Sequence, residues 1–167
     1  KLMSKYPKLF GQVGKPITET AMSWGIQCLD GWYDLLDKLC AYLHFHLDNN
    51  VPKGFKFEFN TVKEKFGTLR VYVDCSWTSE KDWKPNPKRS YIKSYEEYDK
   101  ECYGYSIKLE GAISFAESLS DSICEVCGKP GKLRSGGWIR CLCEEHKPKS
   151  KIEKFAEGKY NETEGSV

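Results

Sequence analysis

Cys124-Glu125-Val126-Cys127-Gly128 and Cys143-Glu144-Glu145-His146 decide how the last third of this chain folds. Fifteen residues separate the two pairs, giving Cys-x2-Cys followed by Cys-x2-His, the ligand spacing of a structural zinc site. Each pair closes a tight turn that aims two ligands at one point, and Gly128 suits the positive φ such a turn needs. Three thiolates and an imidazole fill a tetrahedron and leave no position for water. The pattern therefore predicts one Zn2+ held by Cys124, Cys127, Cys143 and His146 as a folding staple. Cys141 offers a competing sulfur. Cys143 is the preferred ligand because it pairs with His146 across two residues, as Cys124 does with Cys127.

Working outward, Leu109, Ala112, Ile113, Ala116, Leu119 and Ile123 recur at helical spacing and lead straight into the first ligand pair. Further upstream, Phe55, Phe57 and Phe59 alternate with polar residues, and so do Leu69, Val71 and Val73. Lys65-Phe66-Gly67-Thr68 lies between them with a glycine placed for a turn, which predicts an antiparallel hairpin. Trp32, Leu35, Leu36, Leu39, Leu43 and Leu47 form one apolar stripe. They predict a helix from about Gly31 to Leu47 capped by Asp30, with Trp32, Leu36, Leu39 and Leu43 facing Phe57, Leu69 and Val71. The expected fold is α+β: a helix packed on a short antiparallel sheet, with a C-terminal zinc ribbon. Its expected parts are a body at 1–122 interrupted by an insertion at 76–105, a ribbon at 123–147 and a flexible charged tail at 148–167. Residues 1–27, broken by Pro7, Gly11, Gly14 and Pro16, predict no long element.

The 167 residues carry a net charge of only +2, so the chain as a whole has no electrostatic commitment to nucleic acid or membrane. No run approaches a membrane span and no signal peptide is legible. Eight cysteines, three of them at zinc spacing and Cys141 beside them, fit a reducing cytoplasm better than a disulfide scaffold.

Candidate binding residues fall in three groups. Between the ligand pairs, Lys129, Lys132, Arg134 and Arg140 occur with no acidic residue, among glycines and beside Trp138. Cations for phosphate and an indole for stacking make this a candidate anion or nucleic-acid surface. Lys63, Lys65 and Arg70 form a second basic group at the hairpin turn, with Glu64 on the opposite strand face. The two groups would make one anion site if the ribbon packed beside the hairpin. Tyr91, Tyr95, Tyr98, Tyr103 and Tyr105 crowd the charge-balanced insertion, a composition suited to a partner interface and equally to a loop folded back on the body. Cys40 and His44 stand one helical turn apart, but two ligands do not make a site. His46 falls on the more polar flank, and Trp24, Trp32 and Tyr33 read as core before they read as a ligand cage. No nucleophile elbow, phosphate loop, dinucleotide fingerprint, metalloprotease or deaminase motif occurs, so the expectation is a protein without catalytic residues.

Ser23-Trp24-Gly25-Ile26, Asp30-Gly31-Trp32-Tyr33, Val62-Lys63-Glu64-Lys65-Phe66-Gly67-Thr68-Leu69-Arg70 and Cys124-Glu125-Val126-Cys127-Gly128 occur in an order that resembles a group of small tailed-phage proteins of undefined role. Gly131, Gly137-Trp138 and Cys143-x2-His146 extend the likeness, which covers about 16–75 and 108–147. Members of that group have a shorter link in place of 76–105, and commonly Thr in place of Cys141. The resemblance implies an accessory protein made in the cytoplasm of an infected bacterium, acting on host machinery or host immunity. The expected function is to bind and inhibit or sequester a host component, either a protein or a phosphate-bearing nucleotide. The alternatives are a zinc-ribbon nucleic-acid binder serving phage replication or transcription, and an enzyme of unfamiliar type.

Overall fold

A computed structural model of the chain describes residues 1–135, 137–149 and Ile152; the tail expected over 148–167 therefore falls mostly outside the described residues. The main hairpin forms as its alternation predicts, with β2 at Lys56–Lys65 and β3 at Thr68–Ser76. Lys65 pairs with Thr68 across a two-residue turn in which Phe66 has φ 54 and Gly67 φ 76. Turns of this kind need positive φ at both central residues, which match the right-handed twist of the strands. Gly67 has a second reason to lack a side chain. A Cβ there would lie 2.6 Å from Leu133 Cδ2 and 3.1 Å from the Arg140 carbonyl carbon.

The sheet is mixed, not purely antiparallel. A third strand, β1 at Ile26–Gln27, runs parallel to β2 beside Val62 and Lys63, giving the order β1-β2-β3. A register shift between Phe59 and Thr61 changes the phase of β2. Phe57 and Phe59 point into the core before it, and Val62 does so after it. By alternation Glu64 then shares the face of Val62, while Lys63 and Lys65 lie on the other.

Two helices cover the sheet in one continuous core. The first, α2 at Tyr33–Asn49, contributes Leu36, Leu39, Cys40 and Leu43, and these join Trp32, Phe57, Leu69 and Val71 as expected. Its start differs from the sequence expectation. Asp30–Trp32 is a 3-10 turn, the helix cap is Trp32, and Asp30 makes no side-chain capping bond. His46, expected on a polar flank, is buried edge-on against Tyr42 and Phe45. The N-terminal segment is also core. With Leu2 of α1 (Leu2–Lys5), it buries Tyr6, Leu9, Phe10 and Met22, and Phe59 N–H donates to the Leu9 carbonyl at 2.8 Å.

The largest departure concerns the insertion. The helix expected from Leu109 begins at Tyr95, and α3 spans Tyr95–Leu119. Tyr95–Tyr105 is thus helical, and the irregular connection is confined to about 77–94. Tyr98 is buried, and its hydroxyl donates to the Lys53 carbonyl at 3.0 Å. Trp83, Tyr95 and Tyr98 form a triad with ring centroids 5.9–6.4 Å apart. Arg89 closes the connection against the body through Glu101 at 2.7 Å, the Val51 carbonyl at 3.1 Å and the Asn50 carbonyl. The far end of α3 covers the outer edge of β3: Val71 N–H donates to Glu117 Oε1 at 2.7 Å and Leu69 N–H to Ser120 Oγ at 2.8 Å. Those bonds satisfy a strand edge that would otherwise invite another strand. A second, two-stranded sheet, β4 at Lys132–Arg134 antiparallel to β5 at Arg140–Leu142, links the two Cys/His pairs.

Candidate metal centre and the adjoining cleft

The ligand atoms of Cys124, Cys127, Cys143 and His146 all lie within 4.8 Å of one another and could hold a metal ion. The sulfurs of Cys127 and Cys143 are 3.8 Å apart, and His146 Nδ1 stands 3.2 Å from Cys143 Sγ and 3.6 Å from Cys124 Sγ. In a tetrahedron with metal–sulfur bonds of about 2.3 Å the sulfurs stand about 3.8 Å apart, so the donor set fits. At Cys124 burial opposes the thiolate, but backbone N–H groups of Cys143, Cys127 and Val126 outweigh it and bring the pKa down to about 6. Gly128 has φ 75, and its N–H donates to the Cys124 carbonyl at 2.8 Å, which closes the first turn. Cys141 lies outside the cluster. Its Sγ donates to the Asp121 carbonyl at 3.1 Å and it packs in the main core.

Three contacts seat this metal hairpin on the body. Gly31 N–H donates to the Glu125 carbonyl at 2.9 Å, Trp32 Nε1–H donates to the Ile123 carbonyl at 2.8 Å, and Gly67 touches Leu133 and Arg140. The ribbon therefore does pack beside the main hairpin, but the two basic groups do not merge. Lys129 bonds to Glu145 at 2.7 Å, Arg134 to Glu144 at 2.6 Å, and Arg140 Nε to Glu125 Oε1. Lys63 Nζ lies over the Tyr72 ring and Lys65 Nζ over the Phe66 ring, on the strand face away from Glu64, while Arg70 donates to the adjacent Leu69 carbonyl. Lys132 is exposed on β4. The acids that neutralise the ribbon come from within the two ligand pairs themselves.

Where the tips meet, a cleft of about 550 Å³ opens, lined by Gln27, Cys28, Glu64, Glu125, Trp138 and Arg140 among others. Trp138 is 72% exposed, and its indole N–H donates to Glu64 Oε2 at 3.2 Å. The other Glu64 oxygen accepts the Gly67 N–H at 2.6 Å. Glu125 is only 2% exposed; Oε1 takes Arg140, and Oε2 is buried with no hydrogen-bond partner among the described residues. Burial, and then the Glu125 and Asp30 carboxylates, push the Cys28 thiol up to about 12, so it is neutral at neutral pH.

The remaining candidates are dispersed. Tyr91 and Tyr103 are exposed, Tyr95 is half-buried, and Tyr98, expected at a partner interface, belongs to the core. Tyr91 donates to Glu101 at 3.0 Å. Trp24 is exposed and Trp32 fully buried, so they form no cage. Cys40 is buried, and His44 instead faces Asp48 at 3.1 Å. A hollow of about 340 Å³ lies under the connection, lined in part by Pro52, Trp83, Pro85, Arg89 and Tyr98. Arg89 and Tyr98 are both already bonded to backbone carbonyls there. Glu64, Glu125 and Gly31 are the site residues that sequence reasoning did not single out. Glu125 carried one usable signal, an acid enclosed between two metal ligands. No helix among the described residues is long and apolar enough to cross a membrane. Comparison with family models, curated proteins and solved structures finds no match for the chain.

Proposed function

We propose that this chain is a non-enzymatic accessory protein that binds a host component through the seam where the metal hairpin meets the β2–β3 tip. The metal is Zn2+, bound once per chain as a structural ion. Three cysteines and a histidine with ligand atoms within 4.8 Å of one another make up the kind of closed donor set that zinc takes when it holds a fold together. The observation that carries the binding reading is Trp138, a large indole left 72% exposed at the mouth of a cleft, on a hairpin tied to the body by hydrogen bonds at Gly31, Trp32 and Glu64. A solvent-facing aromatic on a rigid mount offers contact area with little ordering entropy to lose on binding. Phe66, 61% exposed at the adjoining tip, extends the same apolar edge.

The paired cations weigh against a track for duplex nucleic acid, because an Arg or Lys already neutralised by Glu releases few counterions on binding. The neutral Cys28 thiol likewise supports a binding cleft over a nucleophilic one. Production during phage infection, in the host cytoplasm, follows from the sequence resemblance and fits a protein that sequesters or inhibits its target. Native mass spectrometry of the zinc-loaded chain recovered from infected cells tests the reading. A retained species should disappear in the Trp138→Ala, Phe66→Ala double variant and persist in Phe115→Ala, which alters an exposed residue of α3. Equal retention in both variants, or none in the unaltered chain, would refute it.

A further inference from the structure

The cleft holds two groups whose bonding capacity is unfilled, and they sit side by side. Arg140 meets Glu125 off register: Nε takes Oε1, whereas a matched pair would also engage a terminal nitrogen with the second oxygen. Oε2 consequently stays buried without a donor, and no hydrogen bond from the Arg140 terminal nitrogens occurs among the described residues. A carboxylate oxygen buried this way is an unfavourable arrangement that a bound donor would relieve. The Trp138 indole lines the same cleft as the pair and bonds Glu64 on β2 at 3.2 Å.

We propose that the cleft binds a purine base, guanine in particular, stacked on Trp138 and read by Glu125 and Arg140. The requirement is a planar ring whose edge presents N–H donors beside an acceptor. Guanine offers N1–H and N2–H to the Glu125 carboxylate and O6 to the Arg140 guanidinium. Adenine presents one amino donor and no carbonyl, and so fills the pair less completely. A guanidinium or ammonium ligand would satisfy Glu125 but set a positive charge against Arg140. If Trp138 turns onto the base it releases Glu64, which then becomes a further acceptor at the rim. Among the described residues no lysine lines the cleft, since Lys63 and Lys65 occupy the opposite face of β2, and its one lining cation, Arg140, is paired with Glu125. The base, not the phosphate, is therefore what the site recognises. This inference rests on the seam being the binding surface and adds the chemistry of what it binds.

Isothermal titration of the full zinc-loaded chain with guanosine tests it, with adenosine, uridine, GMP and arginine amide as comparison ligands. Guanosine should bind saturably at one per chain, and adenosine at least about tenfold more weakly, the penalty for leaving part of a polar pair unfilled. Trp138→Ala, at an exposed position, should lose binding at unchanged zinc content, and Glu125→Gln should weaken guanosine more than adenosine. No saturable guanosine binding, binding unaffected by Trp138→Ala, a strict requirement for the GMP phosphate, or preference for arginine amide would each overturn the proposal. If guanosine fails while the seam variants still release the species retained from infected cells, the ligand class is wrong and the binding surface stands. If the seam variants release nothing, both fail.

Discussion

Replacing Gly31 with alanine tests whether the metal hairpin and the body are one packed unit. The Cβ would be built 2.2 Å from the Cys124 carbonyl oxygen, 2.6 Å from the Glu125 carbonyl carbon and 2.7 Å from the Cys127 nitrogen. All three are backbone atoms of the first metal turn, so no side chain can rotate away. The turn as a whole must lift, and the Gly31 N–H bond to Glu125, now 2.9 Å, goes with it. Overpacking of this kind costs about 1–3 kcal/mol, and losing the bond about another 1 kcal/mol. Against that, alanine restricts the unfolded chain and returns roughly 0.4–1 kcal/mol. The net loss is about 1–3.5 kcal/mol, which for a chain of this size lowers Tm by roughly 2–14 °C. The sign makes the test sharp. At an ordinary helical or extended position the same substitution would stabilise. Circular dichroism melting with metal analysis on the same sample separates the two parts. Zinc content should hold at one per chain, because Gly31 supplies no ligand, while Tm falls and Trp32 emission shifts as its bond to Ile123 loosens. A Tm unchanged within about 2 °C, or raised, would show that the turn is not seated on Gly31.

Other perturbations separate the remaining elements. Cys143→Ser should lose the metal and loosen residues 123–147, whereas Cys141→Ser should keep stoichiometric zinc, both read by elemental analysis; the reverse result would exchange the ligand assignment. Deleting Lys81–Tyr103 removes Ile92, Tyr98 and Cys102 from the core. It should lower Tm by more than about 10 °C, and a small shift would return the insertion to the surface. Burial, and then Lys108, hold the His46 pKa below its ordinary 6.5, so the unfolded chain takes up a proton that the folded chain resists. Stability from this group is full above about pH 6.5 and is lost as pH falls below it. His46→Leu should flatten the loss of Tm between about pH 7 and 5 relative to the unaltered chain, and parallel curves would remove His46 from the acid response.

Much of the fold was legible because its signals are local. The α2 stripe is aliphatic, the β2–β3 alternation is clean until Asn60, and the turn carries its glycine. What was missed lies where the signal takes an unusual form. The buried positions of early α3 are Tyr98, Cys102 and Ser106, helically spaced but not aliphatic, and they follow a stretch broken by Pro85 and Pro87. One start signal was nonetheless present. Ser94 Oγ accepts the Glu97 N–H at 3.2 Å, and Glu97 accepts the Lys93 N–H at 2.6 Å. That is a close variant of the Ser-x-x-Glu capping pattern, and it marks the true start of the helix. The phase change at Asn60 had no such marker. It depends on the side-chain partners of Asp74, which accepts from both Gln12 and Asn60.

The basic ribbon shows why a charge run along the chain is a poor guide to charge in space. The residues from Gly128 to Arg140 include no acid, yet Lys129, Arg134 and Arg140 each meet one. Convergence of the two Cys/His pairs is the cause. Bringing the two ligand pairs to one point also brings Glu125, Glu144 and Glu145, the residues inside those pairs, against the hairpin between them. The acids are therefore set by the ligand spacing, and any chain with carboxylates at those places would neutralise its own ribbon. Long-range attraction is thereby weakened across the ribbon, where Lys132 is the one of the four cations with no ion pair among the described residues. What is left is short-range: an indole face, an unfilled carboxylate oxygen and the free end of one guanidinium. Recognition built on such groups depends on shape and hydrogen-bond match and only weakly on ionic strength, which is how a small-molecule cleft differs from a nucleic-acid track.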